Sequence, residues 1–317
     1  MEEGHSTGAD QGERCMARSI LRGPVDDRGP RLIDAGVENF DALPCCGIKC
    51  ATHAGRQEKR RWLESNAHLG LRAKALLAPD GQPSGYIEYI PGESAWRGVN
   101  AANYLFIHCV WIYSKQYQRK GWGRVLVNAC IEDAKHDGKS GVAAVAREGP
   151  WMADRRLFLG CGFEAVDTAP PDYTLFAYKF DRSAANPSFM TDWDRKPGRY
   201  GKGLTIIRSS QCPHIAKFAT DIVETAAREF HVKPKVVDLS SPLEAQNAPT
   251  PYAVFYADLR REGHCGPSDQ PHPLSQYHAK APAIGAPGEP LQCRKMRKDR
   301  CKRGPFAGAR TEYALHD

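Results

Sequence analysis

The sequence predicts an α/β protein, a mixed sheet of the α+β kind followed by a second, smaller domain, and three observations carry that prediction. From Pro30 to Phe180, short strand-like and helix-like stretches alternate. Inside that region, Tyr104 to Tyr113 is an almost unbroken run of β-branched and aromatic residues, as in a strand covered on both faces. Directly after it, Gln118-Arg119-Lys120-Gly121-Trp122-Gly123 leads into a stretch whose apolar residues recur at helical spacing.

Taken in order, residues 1–28 are polar, rich in Gly, Asp and Arg and without period, so they read as a disordered tail that cannot offset its own ordering entropy. Gly70 to Ala78 and Gly85 to Ile90 flank Pro79-Asp80-Gly81-Gln82, a turn composition, and read as an antiparallel hairpin. Tyr104 to Tyr113 is expected at the sheet centre. Gly123 to His136 sets Val125, Leu126, Ala129, Cys130 and Ala134 on one helical face, and Gly138 stands where such a helix stops. Gly141 to Ala146 reads as a strand, Trp151 to Gly160 as a helix and Tyr173 to Phe180 as a strand, closing a first domain over 29–182. Residues 183–202, with Asn186-Pro187 and Lys196-Pro197-Gly198, have the composition of a linker. A second domain over 203–263 then offers a strand at Leu204 to Arg208, a helix at Ile215 to Phe230, and strands at Lys235 to Leu239 and Tyr252 to Tyr256. Residues 264–317, dominated by Pro, Gly, His and basic side chains, read as a disordered basic tail.

Composition narrows the function classes. No apolar run reaches the roughly 18 to 20 residues of a membrane span, and the acidic N-terminus is unlike a secretory signal, so a cytoplasmic protein is expected. Eleven cysteines, an odd number without framework spacing, fit reduced thiols in a reducing compartment. The net charge is +7, and Arg294 to Arg303, with seven basic residues and one acid, supplies +6 of it. The folded part is therefore nearly neutral, and nucleic acid is not an expected partner.

The glycine turn carries chemistry. A strand that ends in Gln-x-x-Gly-x-Gly and passes into a helix exposes successive backbone N–H groups, since the first helical turn has no internal acceptors for them. Gly121 and Gly123 keep that surface bare, and Arg119, Lys120 and Arg124 add positive charge, so the expected ligand is a pyrophosphate. Leu126 breaks the G-x-G-x-x-G order of dinucleotide folds, and there is no Gly-Lys-Ser/Thr ending of a P-loop.

In this context the residues resemble the GCN5-related N-acetyltransferase (GNAT) family, whose acyl-CoA motif Gln/Arg-x-x-Gly-x-Gly/Ala lies between the fourth strand and third helix of a mixed sheet. Leu157-Phe158-Leu159-Gly160-Cys161-Gly162-Phe163 is similar to the family's Leu-Tyr-x-x-x-Gly-Phe segment. The resemblance implies a GNAT acyl-CoA N-acyltransferase fold and acetyl-CoA as the acetyl donor. It further implies that backbone near Trp111 and Tyr113 pairs with the pantetheine arm, and that Gln118, Arg119, Lys120, Gly121, Trp122, Gly123 and Arg124 hold the pyrophosphate. The acceptor would be a primary amine of a small molecule or peptide, attacking a thioester whose carbonyl a strand N–H polarises.

An ammonium acceptor must lose a proton, so a carboxylate or histidine should line its cleft. Glu88 is the first candidate, then Glu93, then His108. Family members with a base on the fourth strand place it at positions matching Ile107 and Cys109, one residue out of phase with His108, and a β-bulge would restore the phase. The alternative for His108 is a hydrogen-bonded core histidine. The family's usual acid, a tyrosine, is Phe158 here, which leaves Tyr178, Tyr89, Tyr113 or water to protonate the thiolate. Cys45-Cys46 with Cys50 lacks the second Cys/His pair of a structural zinc site and reads as partly buried thiols, with a substrate-side thiol as the alternative.

The second domain's strand, then Cys212-Pro213-His214 opening a helix, then strand, then Thr250-Pro251 before a strand, resembles a thioredoxin-like fold. The whole arrangement resembles acetyltransferases with a YoaP-like C-terminal domain. A cis Thr250-Pro251 bond facing Cys212 is implied. Ile215 occupies the resolving-cysteine position, so a one-chain dithiol is excluded, while the helix N-terminus is expected to lower the Cys212 pKa. The competing function is a Cys212-based binding or redox module in which the first domain only binds CoA.

Overall fold

The computed structural model describes residues 29–260 except 49, 51, 149–151 and 194. The tails expected over 1–28 and 264–317 lie outside the described residues.

The chain runs through β1 (Arg31–Asp34), α1 (Ala54–Asn66), β2 (Arg72–Leu77), β3 (Pro83–Pro91), β4 (Val99–Asn100), β5 (Tyr104–Ile112), α2 (Trp122–His136) and β6 (Gly141–Ala146). It continues through α3 (Arg155–Gly160), β7 (Glu164–Ala169), β8 (Tyr173–Lys179), β9 (Ser188–Phe189), β10 (Gly203–Arg208), α4 (His214–Phe230), β11 (Lys235–Asp238), α5 (Pro242–Gln246) and β12 (Phe255–Arg260). The main sheet has seven strands in the order β1-β2-β3-β5-β6-β8-β7. β5 and β6 run parallel, and the other neighbours in this sheet are antiparallel.

Strand alternation builds two cores. Leu105 and Ile107 of β5 point to α2, where Leu126, Val127, Cys130 and Ala134 are fully buried at the i, i+4, i+8 spacing the sequence shows. Tyr104 and Phe106 point to the other face, against Val99, Ala143, Val145 and Phe189. α2 stops at Gly138, whose φ of +64° suits glycine.

Several expectations are corrected. β1, α1 and β7 are not expected from the sequence, and α1 buries Arg56, Lys59 and Asn66 beside Trp62 and Leu63. α3 begins at Arg155 rather than Trp151, with Asp154 capping its first turn, and the last strand begins at Phe255 rather than Tyr252. The supposed linker is packed: Phe189 is buried, its N–H donates to Asp167 Oδ2 (2.7 Å), and β9 pairs with β4. The Thr250–Pro251 bond is trans, and the cis bond found among the described residues is Pro170–Pro171.

The second unit is a β-α-β crossover with β10 and β11 parallel, to which β12 adds antiparallel to give the order β11-β10-β12. It shares a core with the first: Trp62, Leu63 and Trp96 pack with Ile207, Leu239, Ala245 and Ala253. Gly55 of α1 meets the turn before α4 so closely that a Cβ there would lie 1.8 Å from the Pro213 carbonyl oxygen.

Candidate active site

The parallel pair comes apart. β5 and β6 are in register from Tyr104↔Gly141 to Ile107↔Ala144 and no further, although β5 runs on to Ile112 beside β3. The departure coincides with a bulge: Tyr89 opposes Ile107 and Glu88 opposes Cys109, which leaves His108 as the extra residue. Beyond it the facing switches, and Val110 and Ile112 now pack toward α2 where Leu105 and Ile107 did before. His108 and Cys109 consequently share the other face.

The edge of β5 past the bulge is the open one. Tyr113 N–H donates to the Ser84 carbonyl (2.8 Å), and ladder alternation turns Trp111 toward β3 as well. The backbone groups turned to the gap are thus those of Val110 and Ile112, one residue removed from the expected Trp111 and Tyr113. The Trp111 ring is 40% exposed and stands edge-on to Tyr113 at 5.5 Å.

Gln118 Nε2 donates to the Ile112 carbonyl (3.0 Å) and ties the glycine turn to the end of β5. Arg119 and Gly121 take left-handed backbone (φ +59° and +83°), and Gly121 caps α2 with open space where a Cβ would stand. The Gly121 carbonyl takes the N–H groups of Arg124 and Val125, so those before them face outward. Arg119, Lys120 and Arg124 are exposed, Trp122 stacks on Tyr117 at 3.9 Å, and Gly123 packs on Leu157. Bare backbone, a helix N-terminus and three cations fit a pyrophosphate.

On the face that His108 and Cys109 share, Glu88 lies fully buried in a cage from four segments. Its Oε2 accepts from the Lys59 ammonium and from the Tyr86 hydroxyl (2.8 Å), and its Oε1 accepts from Gln211 Nε2 (3.3 Å). Burial alone would raise the Glu88 pKa, but the Lys59 charge and His108 outweigh it and hold the carboxyl to about 2. His108 Nδ1 stands 3.6 Å from Oε1, and its Nε2 accepts the Trp96 N–H (2.9 Å). That bond uses the imidazole lone pair and puts the ring proton on Nδ1, while burial lowers its pKa to about 4. His108 is the hydrogen-bonded core histidine.

Other candidates lie elsewhere. Glu93 accepts the Asn103 N–H (2.8 Å) at the opposite end of β5. Tyr178 packs on Phe163 and Phe180 (5.7 Å each) across from Val142, on the α2 face. Tyr89 is on that face too, bonded to Asp133. Phe158 is buried against Phe163 (5.4 Å). The structure brings none of these to Glu88.

The thiols are also rearranged relative to expectation. Cys45 and Cys46 are buried, the Cys46 thiol beside Cys109 helps push the Cys109 pKa up, and Cys50 instead meets Thr52 Oγ1 (3.3 Å). Cys212 sits at the start of α4, where the His214 N–H lowers its pKa, but burial prevails and pushes it up to about 11. The expected lowering is reversed, because the docked first unit removes the water that would stabilise a thiolate. Pro251 meets the first unit, its carbonyl accepting the Gly98 N–H (3.1 Å). None of the described cysteines forms a disulfide, and no group of His, Cys, Asp and Glu among the described residues is arranged to hold a metal ion.

Lys59, Arg97 and Gln211 surround Glu88 and were missed by sequence reasoning. Arg56, Lys59, Trp62, Leu63 and Asn66 do recur at i, i+3, i+4 spacing, but that face reads as solvated because its cations do.

A parallel pair splayed beside a glycine-led helix N-terminus is suited to the class of protein that lays an extended, phosphate-bearing ligand along a strand edge. Comparison with known proteins gives that class its family. Residues 39–163 match the acetyltransferase (GNAT) family model. The N-acetyltransferase YoaP of Bacillus subtilis (strain 168), itself uncharacterised, is 32% identical over 219 residues, covering 67% of this chain and 84% of YoaP. The chain belongs to the GNAT acetyltransferase family. Among solved structures, yncA of Salmonella typhimurium with its cofactor acetyl-CoA matches at 19% identity and TM-score 0.38, over 50% of this chain and 98% of that one. The paia N-acetyltransferase of Thermoplasma acidophilum in complex with coenzyme A matches at 13% and TM-score 0.34, over 48% and 100%. No helix among the described residues is long and apolar enough to cross a membrane.

Proposed function

We propose that the protein transfers the acetyl group of acetyl-CoA directly to a primary amine of a small molecule or peptide. The observation that carries this reading is the gap between β5 and β6, which opens past Ile107 and leads straight to the Gly121 turn. The turn would hold the pyrophosphate, and the Val110 backbone with the Ile112 N–H would pair with the pantetheine amides. A strand N–H would then polarise the thioester carbonyl. The amine nitrogen forms its bond to the acetyl carbon as the carbon–sulfur bond breaks, giving an amide and the CoA thiol with release of the ammonium's proton. Glu88 is our candidate to receive that proton, since it alone of the three candidates is a carboxylate beside the bulge. With Phe158 in the usual acid's place, the thiolate takes its proton from water.

We also read residues 29–182 and 203–263 as two domains that are joined by 183–202 and packed on one another, the second thioredoxin-like. The parallel β10-α4-β11 unit with antiparallel β12 supports this. The Cys212 redox alternative gains nothing from a thiol pushed up to about 11.

Calorimetric titration with acetyl-CoA tests the reading. Gly121→Asp puts a carboxylate into the cradle without a clash and should weaken binding at least about tenfold, roughly 1.4 kcal/mol. Equal binding by both proteins would sink the phosphate-turn reading. Thioester consumption across polyamines, aminoglycosides, amino acids and lysine peptides then finds the acceptor.

A further inference from the structure

We propose that Gln211, which comes from the second unit, is a positioning residue of the acetyl-transfer site: its amide couples the buried Arg97 guanidinium to the Glu88 carboxylate and fixes how Glu88 is presented. The inference rests on Glu88 as the proton acceptor proposed above.

Gln211 is 4% exposed, between Arg97 at 2% and Glu88 at 0%. Its Oε1 accepts from Arg97 Nη1, and its Nε2 donates to Glu88 Oε1 (3.3 Å). A cation on one side and an anion on the other allow one orientation of the amide, oxygen to Arg97 and NH2 to Glu88. Only a neutral group that both accepts and donates can serve both at once. A carboxylate at position 211 would face Glu88 with like charge, a cation would do the same to Arg97, and an apolar side chain would leave both unmet. Arg97 otherwise donates to the carbonyls of Trp96 (2.7 Å) and His108 (2.9 Å), so Gln211 links its charge to the carboxylate.

The same turn sets the opposite wall of the cage. Gly55 packs its bare Cα on the Pro213 carbonyl, and Lys59 lies one helical turn on, on the same face of α1. His214 Nε2 meets the Cys46 carbonyl (3.0 Å) next to Cys109. Residues 211–214 thus hold Glu88 from the Gln211 side and its partner Lys59 from the other. The second unit completes the site instead of being appended to it.

The groups facing Glu88 are Lys59 from α1, Tyr86 from β3, His108 and Cys109 from β5, Arg97 from the segment before β4, and Cys212 from the second unit. Glu88 is ionised more readily folded than unfolded, so its stabilisation is present above pH 4.5 and lost as pH falls toward 2. Losing the Gln211 donor raises the folded value and shrinks this contribution. The test is urea unfolding of the full chain from pH 7 to about pH 2.5 for wild type, Gln211→Leu and Gln211→Glu. For Gln211→Leu, the stability gap to wild type should hold from pH 7 down to the variant's raised Glu88 value and close by about half or more toward pH 2.5, as the variant's carboxyl protonates ahead of the wild-type one held to about 2. Gln211→Glu should close further, because its protonated form regains a donor. A gap that stays constant with pH in both variants overturns the proposal and leaves Gln211 as packing. Acetyl-CoA titration of the same proteins separates the two readings. Wild type that binds no acetyl-CoA sinks the transfer reading and the site role with it. Binding together with a constant gap sinks Gln211 alone.

Discussion

The two ends of the open β5 edge are built on opposite principles. At the end proposed for the donor, the Gly121 turn is exposed and offers backbone N–H groups and solvated cations drawn from seven successive residues, Gln118 to Arg124. At the end proposed for the acceptor, Glu88 is fully buried and held by side chains from α1, β3, β5 and the second unit. A backbone cradle tolerates change in its neighbours, whereas a buried ion cage fails when any one partner goes.

Lys59→Met should expose that difference most. It strands the Glu88 charge away from water, and urea unfolding should show a loss of about 3 to 5 kcal/mol. A loss under about 1 kcal/mol would mean that water or another cation reaches Glu88. Acid should act on the same end. Glu88, held to about 2, and His108, held to about 4, are both below their unfolded values of 4.5 and 6.5. Their stabilisation is therefore present above those unfolded values and is lost as pH falls, His108 between 6.5 and 4 and Glu88 between 4.5 and 2. Glu88→Gln should remove the lower part of that slope, and an unchanged slope would place its origin elsewhere.

Gly55→Ala comes next. A methyl 1.8 Å from the Pro213 oxygen must push α1 and the second unit apart, at a cost of about 1 to 3 kcal/mol. Cys212 should then react faster with a thiol reagent, and an unchanged rate would show that the docking yields without opening. The smallest effect belongs to the donor end: Gly121→Asp should unfold within about 1 kcal/mol of wild type, the penalty of a left-handed residue with room for its Cβ. A larger loss would make the turn part of the core.

How far each end can be read from the chain follows from the same contrast. The hairpin of β2 and β3, the β5 run, α2 and its stop at Gly138, and β6 stand where their periods and turn residues put them. The turn at Gly121 is legible because its chemistry is local. α1 is not, because the burial of Arg56 and Lys59 is decided by acceptors elsewhere: the Phe40 and Ile48 carbonyls for one, Glu88 for the other. The position of Glu93 is likewise invisible in sequence, since five residues from Glu88 it has crossed to the far end of β5.

The sequence by itself determined the β2–β3 hairpin, the central β5 and the glycine-led α2, since hydrophobic period and turn chemistry act over a few residues. Tertiary structure alone decided the acceptor side. The bulge at His108 depends on pairing with β3, the raised Cys212 pKa on docking of the first unit, and the Gln211 bridge on residues 114 and 123 positions away. Burial and charge compensation are properties of what surrounds a group, and only the folded chain supplies those surroundings.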